Sequence, residues 1–302
     1  MQRPVGGGVI GTNQSAITYT DIADAKNKVY FGHKPIVTYT AGTYTALDLT
    51  NLYDEVTLQG DTRGCAGLTF MHCASATTIV PHWSSNANVG VGKVTLSSSG
   101  NDITISCATT DPDFGATGNI WGGGDKLWIV NSSKVLAEYT IASVRGKTIT
   151  LTDAAPAINA YGCSVTFVPN RIISANLTII NASRVKFQGF HLAGAMIIQG
   201  LCGFQGCSFK NNGTNCVNVL NNGDVIFTGH ENTIIGSTHG LYVASGNING
   251  PITTVAGSRG IYIVCGKNIN IDYSRAISQA TNGLSVDGCH VSAQYLTVTK
   301  AA

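Results

Sequence analysis

The stretch Asn215–Val243, NCVNVLNNGDVIFTGHENTIIGSTHGLYV, contains the pattern that decides the fold. It carries an apolar-x-apolar motif at Val217/Val219 and again at Leu241/Val243. Six copies of this motif follow one another 19 to 24 residues apart: Leu177/Ile179, Met196/Ile198, Val217/Val219, Leu241/Val243, Ile261/Ile263 and Leu284/Val286. Alternating apolar residues are typical of half-buried strands, and repetition at this period is typical of a solenoid. The sequence therefore predicts stacked strands.

A second motif lies between the copies of the first. Its positions are Val185/Phe187, Cys207/Phe209, Val225/Phe227, Ile248, Ile269/Ile271 and Val291/Ala293. Two strands are thus expected in each repeat, and Gly240, Gly260 and Gly283 before the first motif predict sharp bends between strands. Leucine-rich repeats would need a Leu/Asn consensus and a helical return segment, and the sequence has neither. We predict an all-β chain, a parallel β-helix (solenoid) with a small antiparallel β insertion module.

Composition narrows the classes of partner. The chain has 302 residues, of which 43% are hydrophobic and 11% charged, and its formal net charge is +2. Lys and Arg are scattered singly, so no nucleic-acid partner is expected. No apolar run of about 20 residues and no signal peptide is present, which predicts synthesis in a cytosol without membrane insertion.

The nine cysteines have unrelated spacings, which predicts neither a disulfide framework nor a metal site, and no cofactor is expected. Cys207 stands where Val or Ile stands in neighbouring repeats and is expected to pack as a small apolar side chain.

Four segments are predicted. Residues 1–26 form a glycine-bearing N-terminal leader, and residues 27–90 form the first β-helix coils, with a helical turn over 21–28 capping the solenoid. Residues 91–164 break the repeat and show hairpin patterns, such as Val94–Leu96 and Ile103–Ile105 around a Ser/Gly/Asn turn, which predict a separable β-barrel-like insertion. Residues 165–302 form the main coils.

The segment from Ala41-Gly42-Thr43-Tyr44 to Val56-Thr57-Leu58-Gln59-Gly60-Asp61 resembles the opening coil of the pectin-lyase-like right-handed parallel β-helices, a group that includes bacteriophage and other viral tailspikes. The resemblance implies a virion surface protein, such as a tailspike, a tail fibre or a related appendage, that contacts host-surface polysaccharide. Two alternatives stay open. One is a polysaccharide lyase or glycoside hydrolase on the same fold, and the other is a purely structural capsid-decorating or filament subunit.

Candidates for catalysis are few. From residue 168 onward the carboxylates are Asp224, Glu231, Asp272 and Asp287, and aligning the motifs places no two of them at equivalent positions of adjacent coils. Glycoside hydrolysis needs a carboxylate pair, so no dyad is predicted. A lyase needs a proton acceptor beside a uronate group. The weak candidates for such chemistry are His230, Glu231, Asp272, Tyr273 and Arg275.

Aromatic residues suggest binding instead of cleavage. Trp83 and Trp121 stand in predicted loops and are candidate platforms for sugar rings, whereas Trp128 and Tyr139 are expected to fill the core of the insertion. A charge-poor solenoid would expose large flat faces as a monomer, so a homotrimer or larger assembly is expected. The leader is expected to bind other virion proteins.

Overall fold

The computed structural model describes most of the chain between Ile36 and Lys300 and a short strand near the N-terminus. Residues 1–17, 20–35, 48, 50–54, 74–89, 91, 134, 181–183, 212, 237, 257–258, 273, 279–281, 295 and 301–302 lie outside the described part. The leader, the predicted cap over 21–28 and Trp83 therefore fall wholly or almost wholly outside it.

The described residues form strands, turns and bends, with no helix among them, which confirms the all-β prediction. The strands are β1 (Thr18–Tyr19), β2 (Ile36–Thr38), β3 (Gly42–Tyr44), β4 (Glu55–Gln59), β5 (Thr69–Met71), β6 (Val94–Ser99), β7 (Asp102–Cys107), β8 (Lys126–Val130), β9 (Leu136–Arg145), β10 (Thr148–Leu151), β11 (Ser164–Val168), β12 (Arg171–Ile173), β13 (Leu177–Ile179) and β14 (Arg184–Gln188). They continue as β15 (His191–Leu192), β16 (Met196–Ile198), β17 (Leu201–Asn211), β18 (Asn215–Val219), β19 (Gly223–Gly236), β20 (His239–Val243), β21 (Gly246–Asn249), β22 (Thr253–Ala256), β23 (Arg259–Ile263), β24 (Gly266–Asn270), β25 (Arg275–Ser278), β26 (Asn282–Val286), β27 (Val291–Ser292) and β28 (Thr297–Lys300).

The solenoid is a parallel β-helix of about nine turns with three faces. The first face has the order β1-β2-β4-β14-β17-β19-β21-β24-β27, and the third face has the order β13-β16-β18-β20-β23-β26. The second face contains β3, β12, β15, the C-terminal halves of β17 and β19, β22, β25 and β28. Each coil therefore contains up to three strands, one on each face, whereas the sequence predicted two strands in each coil.

The third face confirms the first motif in every copy. Leu177, Met196, Val217, Leu241, Ile261 and Leu284 pair in one parallel register, each with the next. All but the last are buried in one core that runs along the solenoid. The prediction succeeded because alternation in these short strands puts every apolar side chain on the same side of the sheet.

The predicted positions of the second motif lie on two different faces of the β-helix. On the first face Val185 pairs with Cys202, and Phe187 pairs with Phe204, so Cys207 is not their counterpart. Cys207 and Phe209 lie beyond a register shift in β17, on the second face. Cys207 is nevertheless fully buried, as expected for a small apolar side chain, and burial raises the pKa of its thiol to about 11.

The three glycines before the first motif serve close packing instead of a sharp bend. Gly240, Gly260 and Gly283 lie inside strands of the third face. A Cβ on Gly260 would lie 2.6 Å from the hydroxyl oxygen of Thr254 and 2.7 Å from the carbonyl oxygen of Gly283. The corner between the second and third faces thus has no room for a side chain.

The antiparallel sheet has seven strands in the order β5-β11-β8-β9-β10-β7-β6. It interrupts the second coil, because the chain leaves the β-helix after β4 and returns at β12, which pairs with β3. One side of this sheet encloses a separate apolar core that contains Phe70, Phe114 and Phe167. The name insertion, used above for residues 91–164, from here on means the whole part of the chain between Asp61 and Asn170.

The other side of the insertion packs on the second face of the β-helix. Trp128 is buried there in a cluster with Met71, Val130, Val168 and Ile235 of β19. The expectation that Trp128 fills the insertion's own core is therefore wrong, whereas Tyr139 does pack against that core. Trp128 was misplaced because both sides of β8 are buried, so alternation along this strand cannot separate a core from an interface.

A chain of hydroxyl groups also crosses the interface between the insertion and the β-helix. The hydroxyl oxygen of Thr69 lies 2.7 Å from that of Thr166 and 2.5 Å from that of Thr233 on β19. The Thr233 hydroxyl donates to the carbonyl oxygen of Gly67 at 3.0 Å. The buried hydroxyl groups are thus paired across the interface, as burial requires.

Candidate functional site

A groove of about 700 Å³ lies on the first face near its C-terminal end. It crosses the outward side of five successive strands, and its lining residues are Leu201, Asp224, Val225, Ile226, Asn247, Ile248, Asn249, Lys267, Asn268, Ile269, Asn270, His290, Val291 and Ser292. We call it the first-face groove. Val225, Ile248 and Ile269 pair in register and point into the core, so the polar members of the lining come from the alternate, outward positions.

Two outward columns build the walls of the groove. In one column Ile226 pairs with Asn249, Asn249 with Asn270, and Asn270 with Ser292. In the other column Asp224 pairs with Asn247. Adjacent strands of a sheet lie about 4.8 Å apart, so each column offers a hydrogen-bonding group at that interval along the solenoid.

Hydrogen bonds within the groove orient some of these groups. The Asn247 amide nitrogen donates to the Oδ1 atom of Asp224, and the Oδ1 atom of Asn247 accepts from the backbone N–H of Asn268 at 3.1 Å. The Oδ1 atom of Asn270 accepts from the backbone N–H of Asp272 at 3.0 Å. These bonds fix the rotamers of Asn247 and Asn270, and the exposed amide of Asn249 stands between them.

The chemistry of the groove suits hydroxyl-rich ligands. Amide groups both donate and accept, which matches sugar hydroxyls. Ile226 is 42% exposed between the amides and offers an apolar contact for the face of a ring. The ionisable side chains that line the groove are Asp224, Lys267 and His290. With one carboxylate, this lining lacks the acid pair that glycoside hydrolysis needs.

Of the weak catalytic candidates, only Asp272 has a described side chain, and it is not among the described residues that line the groove. His230 and Glu231 lie within β19, but their side chains are outside the described part, as are Tyr273 and the side chain of Arg275 at the start of β25. Asp272 follows β24 and is half-buried, and its Oδ1 atom accepts from the backbone N–H of Gln294 at 2.5 Å. Asp272 thus ties two successive coils together.

Trp121 does not face solvent, and in this respect the expectation for it is wrong. Its side chain is 1% exposed and packs 4.7 Å from the ring of Phe167 in the insertion core. The guanidinium of Arg63 covers it at 3.7 Å from the ring centroid. The glycine-rich loop that follows Trp121 folds this residue inward, so its ring is closed to a sugar. Trp83, the other proposed platform, lies outside the described residues.

Only part of the groove could be predicted from sequence patterns. The alignment of the motifs indicated no carboxylate pair, and it passed over Asn247, the neighbour of Asp224 on the adjacent strand. Other Asn residues serve turns instead, since Asn221 and Asn222 have positive φ angles of 49° and 63°. A column of Asn at the coil period, Asn247 and Asn249 followed by Asn268 and Asn270, was the signal that could have located the groove.

Neither a metal-binding cluster nor a membrane-spanning helix is found in the described ranges. No group of three or more His, Cys, Asp or Glu side chains there could hold a metal ion. Within the same residues, no helix is long and apolar enough to cross a membrane.

Comparisons with known proteins found similarity among solved structures. No protein-family model matches the chain, and no curated protein matches it. The tailspike protein gp49 of Pseudomonas phage LKA1 is 13% identical, with a TM-score of 0.29, over 92% of this chain and 52% of that one. The gp54 tailspike of Acinetobacter baumannii bacteriophage AP22, solved with a capsular saccharide, is 13% identical, with a TM-score of 0.21, over 88% of this chain and 55% of that one.

The tailspike gp61 of Pseudomonas phage phi297 is 10% identical, with a TM-score of 0.18, over 90% of this chain and 69% of that one. This chain thus spans about half the length of the first two tailspikes. The strand pairing within the chain itself establishes the parallel β-helix that the sequence resemblance implied.

Proposed function

We propose that this chain is the β-helix part of a tailspike-like protein on a virion surface, and that it binds host-surface polysaccharide along the first-face groove. The observation that carries the proposal is the pair of outward columns in the groove, where amide groups recur at strand spacing around the exposed Ile226. Each coil repeats a similar contact, so successive sugar units of an extended chain would meet similar groups. Many weak contacts then add up along one polymer.

The experiment measures binding of the purified chain to an array of bacterial capsular and O-antigen polysaccharides. The double substitution Asn249→Ala and Asn270→Ala removes two amides from one wall of the groove. We expect it to weaken binding to the preferred polysaccharide about fivefold to 150-fold, from about 0.5–1.5 kcal/mol for each of two hydrogen bonds. Thr178→Ala, an exposed outward position on the third face, is the matched control and should bind like the unchanged chain.

Two results would contradict this proposal. One is the absence of binding to every polysaccharide on the array, and the other is equal loss of binding in the groove variant and the Thr178 control. We also expect Glu231→Gln and Asp272→Asn to change binding little, because binding needs no acid pair. If the protein shortens the polysaccharide and either substitution abolishes cleavage while the fold is kept, a depolymerase is the better description.

The same proposal includes self-assembly into a homotrimer or a larger complex. Ile180 and Val298 are large apolar side chains exposed on the β-helix, and contact with identical chains would cover such groups. Light scattering at micromolar concentration should therefore give a mass above one chain. A stable monomer would contradict this part of the proposal and leave the groove experiment unaffected. Attachment to other virion proteins is proposed for the leader.

A further inference from the structure

A second cluster of polar and aromatic side chains lies on the third face, away from the groove. His239 of β20, Arg259 of β23 and Asn282 of β26 stand side by side in one outward register. Tyr242 and Tyr262 form the neighbouring column, with ring centroids 5.4 Å apart. None of these residues lines the first-face groove.

Arg259 is the cation of this cluster and lacks a counter-ion among the described residues. Its guanidinium carbon lies 4.2 Å from the centroid of the Tyr262 ring. Its Nε atom is buried with no hydrogen-bond partner, and no described carboxylate forms an ion pair with it. A guanidinium that is oriented by an aromatic ring and has no described counter-ion is suited to bidentate binding of a carboxylate through its two Nη atoms.

The neighbours of Arg259 also favour the binding of a carboxylate. His239 lies 5.3 Å from the Tyr262 ring, and its Nδ1 atom is 2.6 Å from the Oδ1 atom of Asn215. Burial and the positive charge of Arg259 lower the pKa of His239 below its usual value. The one described carboxylate that contacts the cluster is Asp287, which accepts from the Tyr262 hydroxyl at 3.1 Å. The arginine is therefore held in place by groups that leave its charge unneutralised.

We propose that the third face holds a carboxylate-bearing sugar unit, with Arg259 binding its carboxylate and the tyrosine pair contacting its ring. The site is additional to the groove, and it rests on the proposed function only in that the ligand is a saccharide. The exposed side chain of Asn282 adds an amide beside the guanidinium for the ring hydroxyls. The tyrosines supply the flat apolar surface that sugar rings prefer.

The test compares binding of sodium glucuronate and of glucose, which share a ring and differ in charge, to the full chain by isothermal titration and ligand-observed NMR. We expect glucuronate to bind at least fivefold more tightly than glucose. Arg259→Gln should abolish this preference, and Arg259→Lys should keep a part of it, because a lysine retains the charge but not the bidentate geometry. Asp287→Asn should raise glucuronate affinity about twofold or more, since it removes a nearby negative charge.

Acetate and inorganic phosphate at the same concentration serve as sugar-free anions. Affinity for acetate equal to that for glucuronate would overturn the saccharide site, as would equal binding of glucuronate and glucose or an unchanged preference in Arg259→Gln. Circular dichroism must show each variant folded. The groove variant Asn249→Ala/Asn270→Ala should keep the glucuronate preference. Failure of the groove proposal and failure of the third-face proposal therefore give different results.

Discussion

Acidification should weaken the contact between the insertion and the β-helix through one buried histidine. His191 on β15 is 8% exposed, and its ring lies 4.9 Å from the ring of Trp128. Its Nδ1 atom is 3.2 Å from the hydroxyl oxygen of Ser208. Burial lowers the pKa of His191 to about 4, although the hydrogen bond to the backbone carbonyl oxygen of Ser208 and the charge of Glu138 oppose this shift; the charge of Lys210 adds to it.

The sign and size of the effect follow from the difference between folded and unfolded pKa values. The unfolded pKa is 6.5 and the folded pKa is about 4. Above pH 6.5 the imidazole is neutral in both states, so the free energy of unfolding does not depend on it. As the pH falls from 6.5 to 4, the imidazole of His191 binds a proton in the unfolded chain but stays neutral in the folded chain. The free energy of unfolding should fall by about 1.4 kcal/mol per pH unit, or about 3 kcal/mol in total.

Urea unfolding between pH 7.5 and 4, followed by tryptophan fluorescence, measures this loss. His191→Phe keeps a ring beside Trp128 but cannot take a proton. The difference in unfolding free energy between this variant and the unchanged chain should therefore shift by about 3 kcal/mol across the range, in favour of the variant at low pH. His290→Asn, which replaces an exposed histidine, should show the same pH dependence of the unfolding free energy as the unchanged chain. Parallel profiles for His191→Phe and the unchanged chain would refute the argument.

Four further predictions concern packing. Phe204→Ala removes the middle ring of a phenylalanine stack and should lower the free energy of unfolding by about 3–5 kcal/mol in urea. Gly260→Ala places a Cβ against backbone and should lower the free energy of unfolding by about 1–3 kcal/mol. Gly122→Ala places its Cβ in open space and should lower the free energy of unfolding by less than about 1 kcal/mol in the same assay. Trp121→Ala should lower the melting temperature and leave polysaccharide binding at the groove unchanged. Replacement of residues 62–169 by a short Gly/Ser linker should keep the far-UV circular dichroism of the parallel coils, and loss of all folded signal would show that the insertion belongs to the shaft.

The sequence predicted the third face best because its strands are short and separated by turns. Each of them has two inward positions, and both are apolar in every copy. The first and second faces are harder, because β17 and β19 pass from one face to the other without a break in the strand. Gly206, with a φ of 62°, marks the register shift in β17, and one glycine in a long strand is a weak signal. Two faces were therefore interpreted as one.

The groove was harder to predict because it is formed by outward positions, which hydrophobic patterns do not report. Successive coils also differ in length, because Asn249 lies 23 residues after its partner Ile226 and Asn270 lies 21 residues after its partner Asn249, so a single period does not align the whole column. The inward fold of Trp121 was equally hidden, since a loop tryptophan has no period. Burial of Trp121 depends on contacts with Arg63 and Phe167, which are distant in sequence.

The insertion interrupts a coil without disturbing the sheets because it leaves and returns at one corner. The Asp61 carboxylate, 2% exposed, accepts two hydrogen bonds from the Nε and Nη2 atoms of Arg63 and lies 3.8 Å from Arg171 on the returning strand. A buried carboxylate is stable only while such partners are present, so this corner favours one position of the insertion. That position covers the second face, whereas the groove residues all belong to the first face. Access of a ligand to the groove is therefore independent of the insertion, and a change that loosens the insertion, such as protonation of His191, should leave the groove intact.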